Sequence, residues 1–262
     1  MSSKRSRQNK LIEIIKSQGI QPVRELANIL DVSEMTVRRD LEDIGSLTVP
    51  KNNITSQDNG NHNLLSVLEK FNEQKSAIGK MAASLISPND VIIVDTGSTV
   101  FRMVQYLPTN YNLTVLCYNA NVLFELRHRQ DITILFCGGL YHPKTEMFES
   151  TEGIQYIKRL RANKVFLSAA GMHEDLGITC ENMYEVITKQ AVIQYSRERI
   201  LMIDSSKFGQ VKSSFFCEIS EIDSVITDQM VPEHWRNLLR KKKINLNIAD
   251  TDNRGADARI IM

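Results

Sequence analysis

Short apolar runs alternate with amphipathic stretches through most of this chain, and this alternation limits its fold more than composition does. Six runs of four or five residues have the character of buried strands: Val91–Val94, Leu113–Cys117, Ile132–Phe136, Val165–Ser168, Ile200–Ile203 and Ser224–Thr227. Stretches with helical periodicity lie between most of them: Val100–Leu107, Ala120–Arg127, Ile154–Leu160 and Tyr184–Arg197. Such alternation predicts an α/β fold with a mostly parallel sheet covered on both faces.

Additional helices and one more strand flank this region. Two stretches with helical character precede the first run, Leu64–Phe71 and Lys75–Ile86. The pattern closes with a predicted helix, Pro232–Arg240, and a predicted strand, Ile244–Ile248. Residues 51–63 are polar and rich in asparagine, which predicts a linker or an irregular loop. We therefore expect domains at 1–50 and 64–248, a linker at 51–63 and a polar tail at 249–262.

Residues 7–44 have a different pattern, which indicates three short helices. Leu11, Ile14 and Ile15 give the first helix an apolar face, and a tight break at Asp31 and Val32 separates the next two. Ser33 is a good N-cap for the third helix, whose Val37 and Leu41 face the core.

The other face of the third helix carries side chains that suit the major groove of DNA. The candidate DNA-binding residues are Ser33, Met35, Thr36, Arg38 and Arg39. Arginine pairs with guanine, threonine reaches bases or phosphates, and methionine contacts a thymine methyl group. The spacing alone is also compatible with a helical hairpin that has a solvated arginine face.

The charge distribution favours a local contact with DNA over a generally basic protein. The net charge of the 262 residues is only +1, but residues 1–24 carry six basic side chains and one acidic side chain. A solubilising terminus is the alternative. The four cysteines contain no Cys-x-x-Cys pair, which argues against a zinc site or a disulfide framework and fits the cytoplasm. No apolar run is long enough to span a membrane, and we expect no metal and no cofactor.

The loops that follow the predicted strands are the candidate ligand site, because open parallel sheets bind ligands at the carboxyl ends of their strands. The candidate effector-binding residues are Asp95, Thr96, Gly97, Ser98, Thr99, Gly138, Gly139, Gly171, Glu185, Lys189, Asp204 and Lys207. The first five form a turn before a helix, an arrangement that suits phosphate. For each glycine the alternative is a tight turn without a ligand. For Glu185 and Lys189, which are four residues apart on one helix, the alternative is a surface ion pair.

Several phrases resemble the DeoR family of bacterial transcriptional repressors. Val32–Leu41 is similar to the family's recognition-helix phrase V-S-x-x-T-[IV]-R-R-D-L. The C-terminal phrases that match are DTGST (95–99), CGG (137–139), SAAG (168–171), the E-x-x-x-K of Glu185 and Lys189, and DSSKFG (204–209). The chain departs from the family after residue 49, where Pro50-Lys51-Asn52-Asn53 replaces the usual Gly-Gly hairpin of the wing.

The resemblance implies a winged helix-turn-helix domain followed by a sugar-phosphate-sensing domain similar in fold to ribose-5-phosphate isomerase. The implied partners are double-stranded operator DNA, a second copy of the chain and a phosphorylated sugar, with deoxyribose 5-phosphate as the first expectation. The rival hypothesis is a sugar-phosphate isomerase in which Asp95, Glu185 and Lys207 supply acid, base and charge stabilisation. The recognition-helix phrase has no role in that chemistry, so we expect a homo-oligomeric repressor without catalytic residues.

Overall fold

The computed structural model of the chain describes residues 7, 10, 11, 14, 23–32, 36, 37 and 64–250. The chain divides into two compact units, residues 1–73 and residues 74–262. The helices, in chain order, are α1 (Val23–Leu30), α2 (Leu64–Ser84), α3 (Ser98–Val104), α4 (Ala120–Leu126), α5 (Thr151–Arg159), α6 (Met183–Gln194) and α7 (Glu233–Lys241). The strands are β1 (Val91–Val94), β2 (Leu113–Cys117), β3 (Ile132–Phe136), β4 (Leu140–His142), β5 (Met147–Glu149), β6 (Ala162–Leu167), β7 (Gly171–His173), β8 (Gly177–Cys180), β9 (Ser196–Met202), β10 (Ser214–Cys217), β11 (Ser224–Asp228) and β12 (Asn245–Ala249).

The N-terminal unit has a small apolar core. Its buried residues are Leu11, Ile14, Leu26, Ala27 and Val37, with Leu30 and Val32 packed against them. Helix α1 ends where Asp31 adopts a positive φ of 52°, and the Val32 N–H donates to the Ala27 carbonyl at 3.0 Å. The break predicted at these two residues is therefore present. The predicted linker, the region of the wing and the predicted tail from residue 251 lie outside the described residues.

A seven-stranded sheet forms the centre of the second unit. Its strand order is β12-β11-β9-β6-β1-β2-β3, and every neighbouring pair is parallel. From β1 the chain proceeds outwards to β2 and β3 on one side, and it then returns to build β6, β9, β11 and β12 on the other side. The order reverses between β1 and β6, and ligands bind beyond the strand ends at such a reversal.

The strands of the main sheet bury both of their faces because successive side chains point to opposite sides. Ile93, Leu116 and Val165 belong to one core, to which α5, α6 and α7 contribute residues. Ile92, Val115 and their neighbours belong to the other, with residues of α2, α3 and α4. The predicted fold class, a mostly parallel α/β domain behind a helix-turn-helix unit, is confirmed.

The structure corrects the expected elements in two ways. The two helices expected at Leu64–Phe71 and Lys75–Ile86 are one continuous helix, α2. Five short strands were not predicted, and they form an antiparallel sheet of order β10-β8-β7 and the hairpin β4-β5. Among the described residues, no helix is both long and apolar enough to cross a lipid bilayer.

Candidate functional site

Asp95 follows β1 at the point where the strand order reverses, and it ties together the surrounding elements. Its side chain is fully buried. Its carboxylate accepts hydrogen bonds from the Tyr118 hydroxyl at 2.5 Å, the Lys189 ammonium at 2.5 Å and the Ser168 N–H at 2.9 Å. Its carbonyl accepts from the Asn119 side chain at 3.1 Å. This one residue therefore fixes the loop after β1 to the ends of β2 and β6 and to α6.

Lys189 lies beneath this loop and is only 1% exposed. Its ammonium also donates to the Ser168 carbonyl at 3.0 Å and lies 3.7 Å from a carboxylate oxygen of Glu185, which is itself 6% exposed. Burial alone would lower the pKa of Lys189, but the carboxylates of Asp95 and Glu185 outweigh burial and raise that pKa above its ordinary value. Lys189 therefore stays charged, and the alternative of a surface ion pair with Glu185 is wrong.

Tyr118 completes the buried network. Burial and the neighbouring Asp95 carboxylate raise the pKa of Tyr118 well above 10. The phenol therefore stays protonated and donates a hydrogen bond to Asp95. Glu185 is held from its other side by the Asn182 side chain, which donates to it at 2.7 Å. The network contains two carboxylates and one ammonium group, and each of these charged groups has a partner within the protein.

A second group of charged residues lies on the solvent side of the same loop. Lys75 of α2 is 9% exposed, and its ammonium donates to the Ser98 hydroxyl at 3.0 Å. Burial lowers the pKa of Lys75, Asp204 raises it, and the cations Lys207 and Arg102 lower it further, so that the net shift is downwards. Two further cations, Lys207 and Arg102, therefore lie near enough to act on the Lys75 ammonium, which contacts the exposed Ser98. An anion bound there would relieve the repulsion between them.

The backbone of the loop is adapted to this position. Gly97 has a φ of 137°, a conformation that side chains rarely allow, and a Cβ on it would lie 2.3 Å from the Ser168 hydroxyl oxygen. Thr96 and Thr99 are buried on either side of the half-buried Gly97 and the exposed Ser98. The loop thus presents backbone and a hydroxyl group to solvent while its flanks are fixed in the core.

The loop after β9 contributes Asp204 and Lys207 to the same end of the sheet. Asp204 is 1% exposed, and its carboxylate accepts from the Ser206 N–H at 3.1 Å and from the Ser206 hydroxyl. Gly171 has a packing role here, because a Cβ on it would lie 2.4 Å from the carbonyl oxygen of Gln210. Asp204 and Lys207 lie near enough to Lys75, which contacts Ser98 of the 95–99 loop, to shift the pKa of Lys75.

Gly138 and Gly139 lie elsewhere. They follow the edge strand β3 and line a groove of about 590 Å³ together with residues of α5. A Cβ on Gly139 would lie 2.2 Å from the carbonyl oxygen of Glu149, so close packing of the hairpin accounts for this glycine. The groove is two strands away from Asp95 in the sheet.

The proposed DNA-reading helix is described only in part. Thr36 is helical and half-buried, and Val37 is fully buried in the N-terminal core, as its predicted inward orientation requires. Ser33, Met35, Arg38 and Arg39 lie outside the described residues. Their contact with DNA remains a prediction from the sequence.

Two further observations concern metals and thiols. Among the described residues, no group of three or more His, Cys, Asp or Glu side chains is placed to hold a metal ion. All four cysteines are buried and unpaired, and burial raises the pKa of Cys117 and of Cys180 to about 12. Such thiols are unreactive at neutral pH.

Sequence reasoning missed Lys75, Tyr118 and Ser168. Lys75 precedes Ser98 by 23 residues and Lys189 follows Asp95 by 94. At such separations, no local sequence pattern predicts either contact. A lysine in a helix is ordinarily solvated. The one available signal was that Lys75 falls on the inner half of an amphipathic helix, next to Ile78.

A helix-turn-helix unit joined to a parallel sheet with a cation-lined loop defines a two-domain transcriptional regulator. The chain matches the family models "DeoR-like helix-turn-helix domain" over residues 7–49 and "DeoR C terminal sensor domain" over residues 70–229. The chain therefore belongs to the DeoR family, and it is a regulator rather than an enzyme.

Two relatives that are named as repressors match this chain over most of its length and most of their own. The chain is 26% identical over 239 residues to the deoxyribose operon repressor of Escherichia coli, covering 90% of this chain and 95% of that protein. It is 32% identical over 250 residues to the lactose phosphotransferase system repressor of Staphylococcus epidermidis, covering 92% and 96%. Among solved structures, ribose 5-phosphate isomerase A of Methanocaldococcus jannaschii superposes with a TM-score of 0.38 at 14% identity, covering 64% of each chain.

Proposed function

We propose that this protein is a cytoplasmic repressor that binds an operator as a homo-oligomer and releases it when a phosphorylated sugar occupies the loop 95–99. The observation that carries this proposal is the contact of the Lys75 ammonium with the exposed Ser98, at the strand ends where the sheet order reverses, with Lys207 near enough to Lys75 to lower its pKa. Cations and a hydroxyl group around exposed backbone are the groups that bind phosphate.

The phosphate is bound by the solvent side of the loop. Lys75 and Lys207 supply the charge, and Ser98 and the Gly97 backbone supply hydrogen bonds. The buried side of the loop has another task, because the Asp95 carboxylate already accepts three hydrogen bonds within the protein. Asp95, Glu185 and Lys189 thus hold the loop in the conformation that receives the anion, and the sugar hydroxyl groups are bound by Asp204 and the loop after β6.

Helix α2 connects this site to the reading head along the chain. Lys75 lies on α2, which begins at Leu64 and directly follows the predicted linker 51–63. A bound phosphate attracts the Lys75 ammonium and so favours one position of α2 over others. A ligand shifts an equilibrium by its difference in affinity for the two states, so this preference is what lowers the affinity for DNA.

Deoxyribose 5-phosphate is the first effector to test. The named relatives serve two different systems, deoxyribose and lactose phosphotransferase, so the sugar is chosen by experiment from a panel. The panel comprises deoxyribose 5-phosphate, ribose 5-phosphate, a hexose 6-phosphate, a ketohexose bisphosphate and their unphosphorylated forms.

A thermal-shift screen of the full-length protein tests this proposal, since a ligand that binds the folded state raises its melting temperature. We expect one phosphorylated sugar to raise the melting temperature, and its unphosphorylated form to leave it unchanged. Lys75→Met should abolish the shift, whereas Lys80→Met, at an exposed position of the same helix, should retain it. A melting temperature that no phosphorylated sugar alters would refute an effector site of this class and would leave constitutive DNA binding.

Reading of DNA is tested separately. Arg39→Ala should weaken binding to the selected operator by about 1–3 kcal/mol if the side chain contacts a base, with little change for unrelated duplexes. An equal loss on every duplex would assign Arg39 to phosphate contacts instead.

A further inference from the structure

The edge strand β3 leaves one side of the main sheet without a neighbour. Within residues 64–250, β2 is the only strand that pairs with β3. The strand is apolar, and its last residue, Phe136, is 36% exposed. An apolar edge with free backbone groups is a template for pairing with another chain unless something covers it.

Helix α5 runs beside this edge and is fixed to it at one end. Its N-cap Ser150 accepts from the Gly153 N–H at 2.8 Å, and a Cβ on Gly153 would lie 3.1 Å from the Cβ of Cys137, directly after β3. Between the strand and the helix lies the groove of about 590 Å³, lined on the helix side by Glu152 and Tyr156 among others. Tyr156 is 46% exposed.

Three exposed residues of α5 form a stripe on one face of the helix, and the first two of them line this groove. Glu152, Tyr156 and Arg159 are separated by four and three residues, which places them on one face of the helix. The acidic residue lies near the N-terminus, the aromatic residue in the middle and the basic residue in the last turn. At 1.5 Å per residue, Glu152 lies about 6 Å before Tyr156 and Arg159 about 4.5 Å after it.

This order of charges is complementary to the same stripe on a second, antiparallel copy of the helix. A two-fold axis near Tyr156 would place Glu152 of one copy opposite Arg159 of the other, and would do so twice. An isologous interface requires this reciprocity, in which residue i meets j and j meets i. A two-fold axis perpendicular to the sheet at its free edge would run β3 antiparallel to β3 of the second copy, so that the two edges can pair.

We propose that β3 and the stripe Glu152–Tyr156–Arg159 form the interface through which a second copy of this chain binds. The sheets join at their β3 edges, and the Tyr156 rings fill the groove between helix and strand. The inference deepens the proposed function, because two reading heads on a palindromic operator require two joined copies. Its test concerns assembly alone and does not depend on DNA or on the effector.

Sedimentation velocity of the full-length protein over a concentration series tests the interface by charge reversal. We expect Glu152→Arg and Arg159→Glu each to weaken self-association at least tenfold in dissociation constant, because each places like charges opposite one another. The double variant E152R/R159E should regain most of the wild-type association, which a folding defect would not allow. Lys158→Glu, at an exposed position of α5 outside the stripe, is the matched control and should assemble like wild type.

The outcomes separate this inference from the proposed function. A wild-type protein that stays monomeric at tens of micromolar, or an assembly that both single variants leave intact, would overturn the interface. Single variants that dissociate without rescue in the double variant would overturn the reciprocal pairing and indicate a different partner for this face. The sugar-phosphate thermal shift, measured on the same variants, reports on the effector site independently.

Discussion

A buried ammonium group lies between two buried carboxylates behind the candidate effector loop. Lys189 is hydrogen-bonded to Asp95 and close to Glu185, and all three side chains are almost completely removed from water. Removing a charge from water is costly, and this cost is offset only while each charge keeps its partners. The buried charges of this network therefore contribute more to fixing the conformation of the loop than an exposed ion pair would.

Lys189→Met should destabilise the protein strongly, because it leaves two buried carboxylates without their cation. The expected loss is about 3–5 kcal/mol in the free energy of unfolding, measured by chemical denaturation. Lys144→Met is the control, since its ion pair with Glu181 is exposed, and it should cost less than about 1 kcal/mol. The double variant Asp95→Asn, Lys189→Met should recover part of the loss. Equal free energies of unfolding for Lys189→Met and its control Lys144→Met would contradict this description of the network.

The lowered pKa of Lys75 should make effector binding depend on pH. Its pKa lies below 10.5 in the free protein, chiefly because of burial, and a bound phosphate favours the charged form and raises it. Binding therefore takes up a proton between the two pKa values, and affinity should fall as the pH rises through the lowered pKa of Lys75, in an alkaline range where phosphate is already doubly charged.

Isothermal titration calorimetry across this range measures the effect. Lys75→Arg should bind with an affinity that hardly changes over the same pH range, because arginine stays charged. A wild-type affinity that is constant from neutral pH up to the ordinary lysine pKa of 10.5 would show that Lys75 does not interact with the phosphate.

At the scale of the elements, the parallel sheet was predictable and the small additions were not. Most strands of the main sheet alternate with helices along the chain, and the apolar runs of the central strands are visible because both faces are buried. Strands β4, β5, β7 and β10 are three or four residues long, and β4 has a largely exposed pattern, so no periodicity marks them. The loop 95–99 was predicted as part of the site because glycine and hydroxyl residues follow a strand, whereas Lys75 comes from a distant helix whose packing the sequence does not reveal.

The turn at Gly97 offers a test of the loop itself. Gly97→Ala combines a φ of 137° with a Cβ 2.3 Å from the Ser168 hydroxyl oxygen, so we expect a loss of about 1–3 kcal/mol in stability together with weaker sugar-phosphate binding. At Gly138 the nearest atom to an added Cβ is 3.8 Å away, so Gly138→Ala should change stability by less than about 0.5 kcal/mol. Thermal melts and calorimetry of both variants give the comparison. A Gly97→Ala variant that binds like wild type would remove the loop from the effector site.

The whole molecule joins two compact units with different tasks. The N-terminal unit has its own core around Leu26 and Val37, and the sheet domain has a core on each face of the sheet. Helix α2 carries Lys75, directly follows the predicted linker 51–63, and includes the boundary between the two units at residues 73 and 74. We therefore propose that DNA binding is controlled by the coupling between one small ligand and one continuous helix.

That coupling is measured most directly by titrating the full-length protein into a fluorescent operator duplex, selected from a random library, with and without the sugar phosphate that raises the melting temperature. Measured by anisotropy at fixed salt, operator affinity should fall by about 5–150-fold in saturating sugar phosphate, the usual range of coupling between sites. Lys75→Met should bind the operator like wild type and should not respond to the ligand. An operator affinity that stays the same with the effector site fully occupied would contradict the central claim.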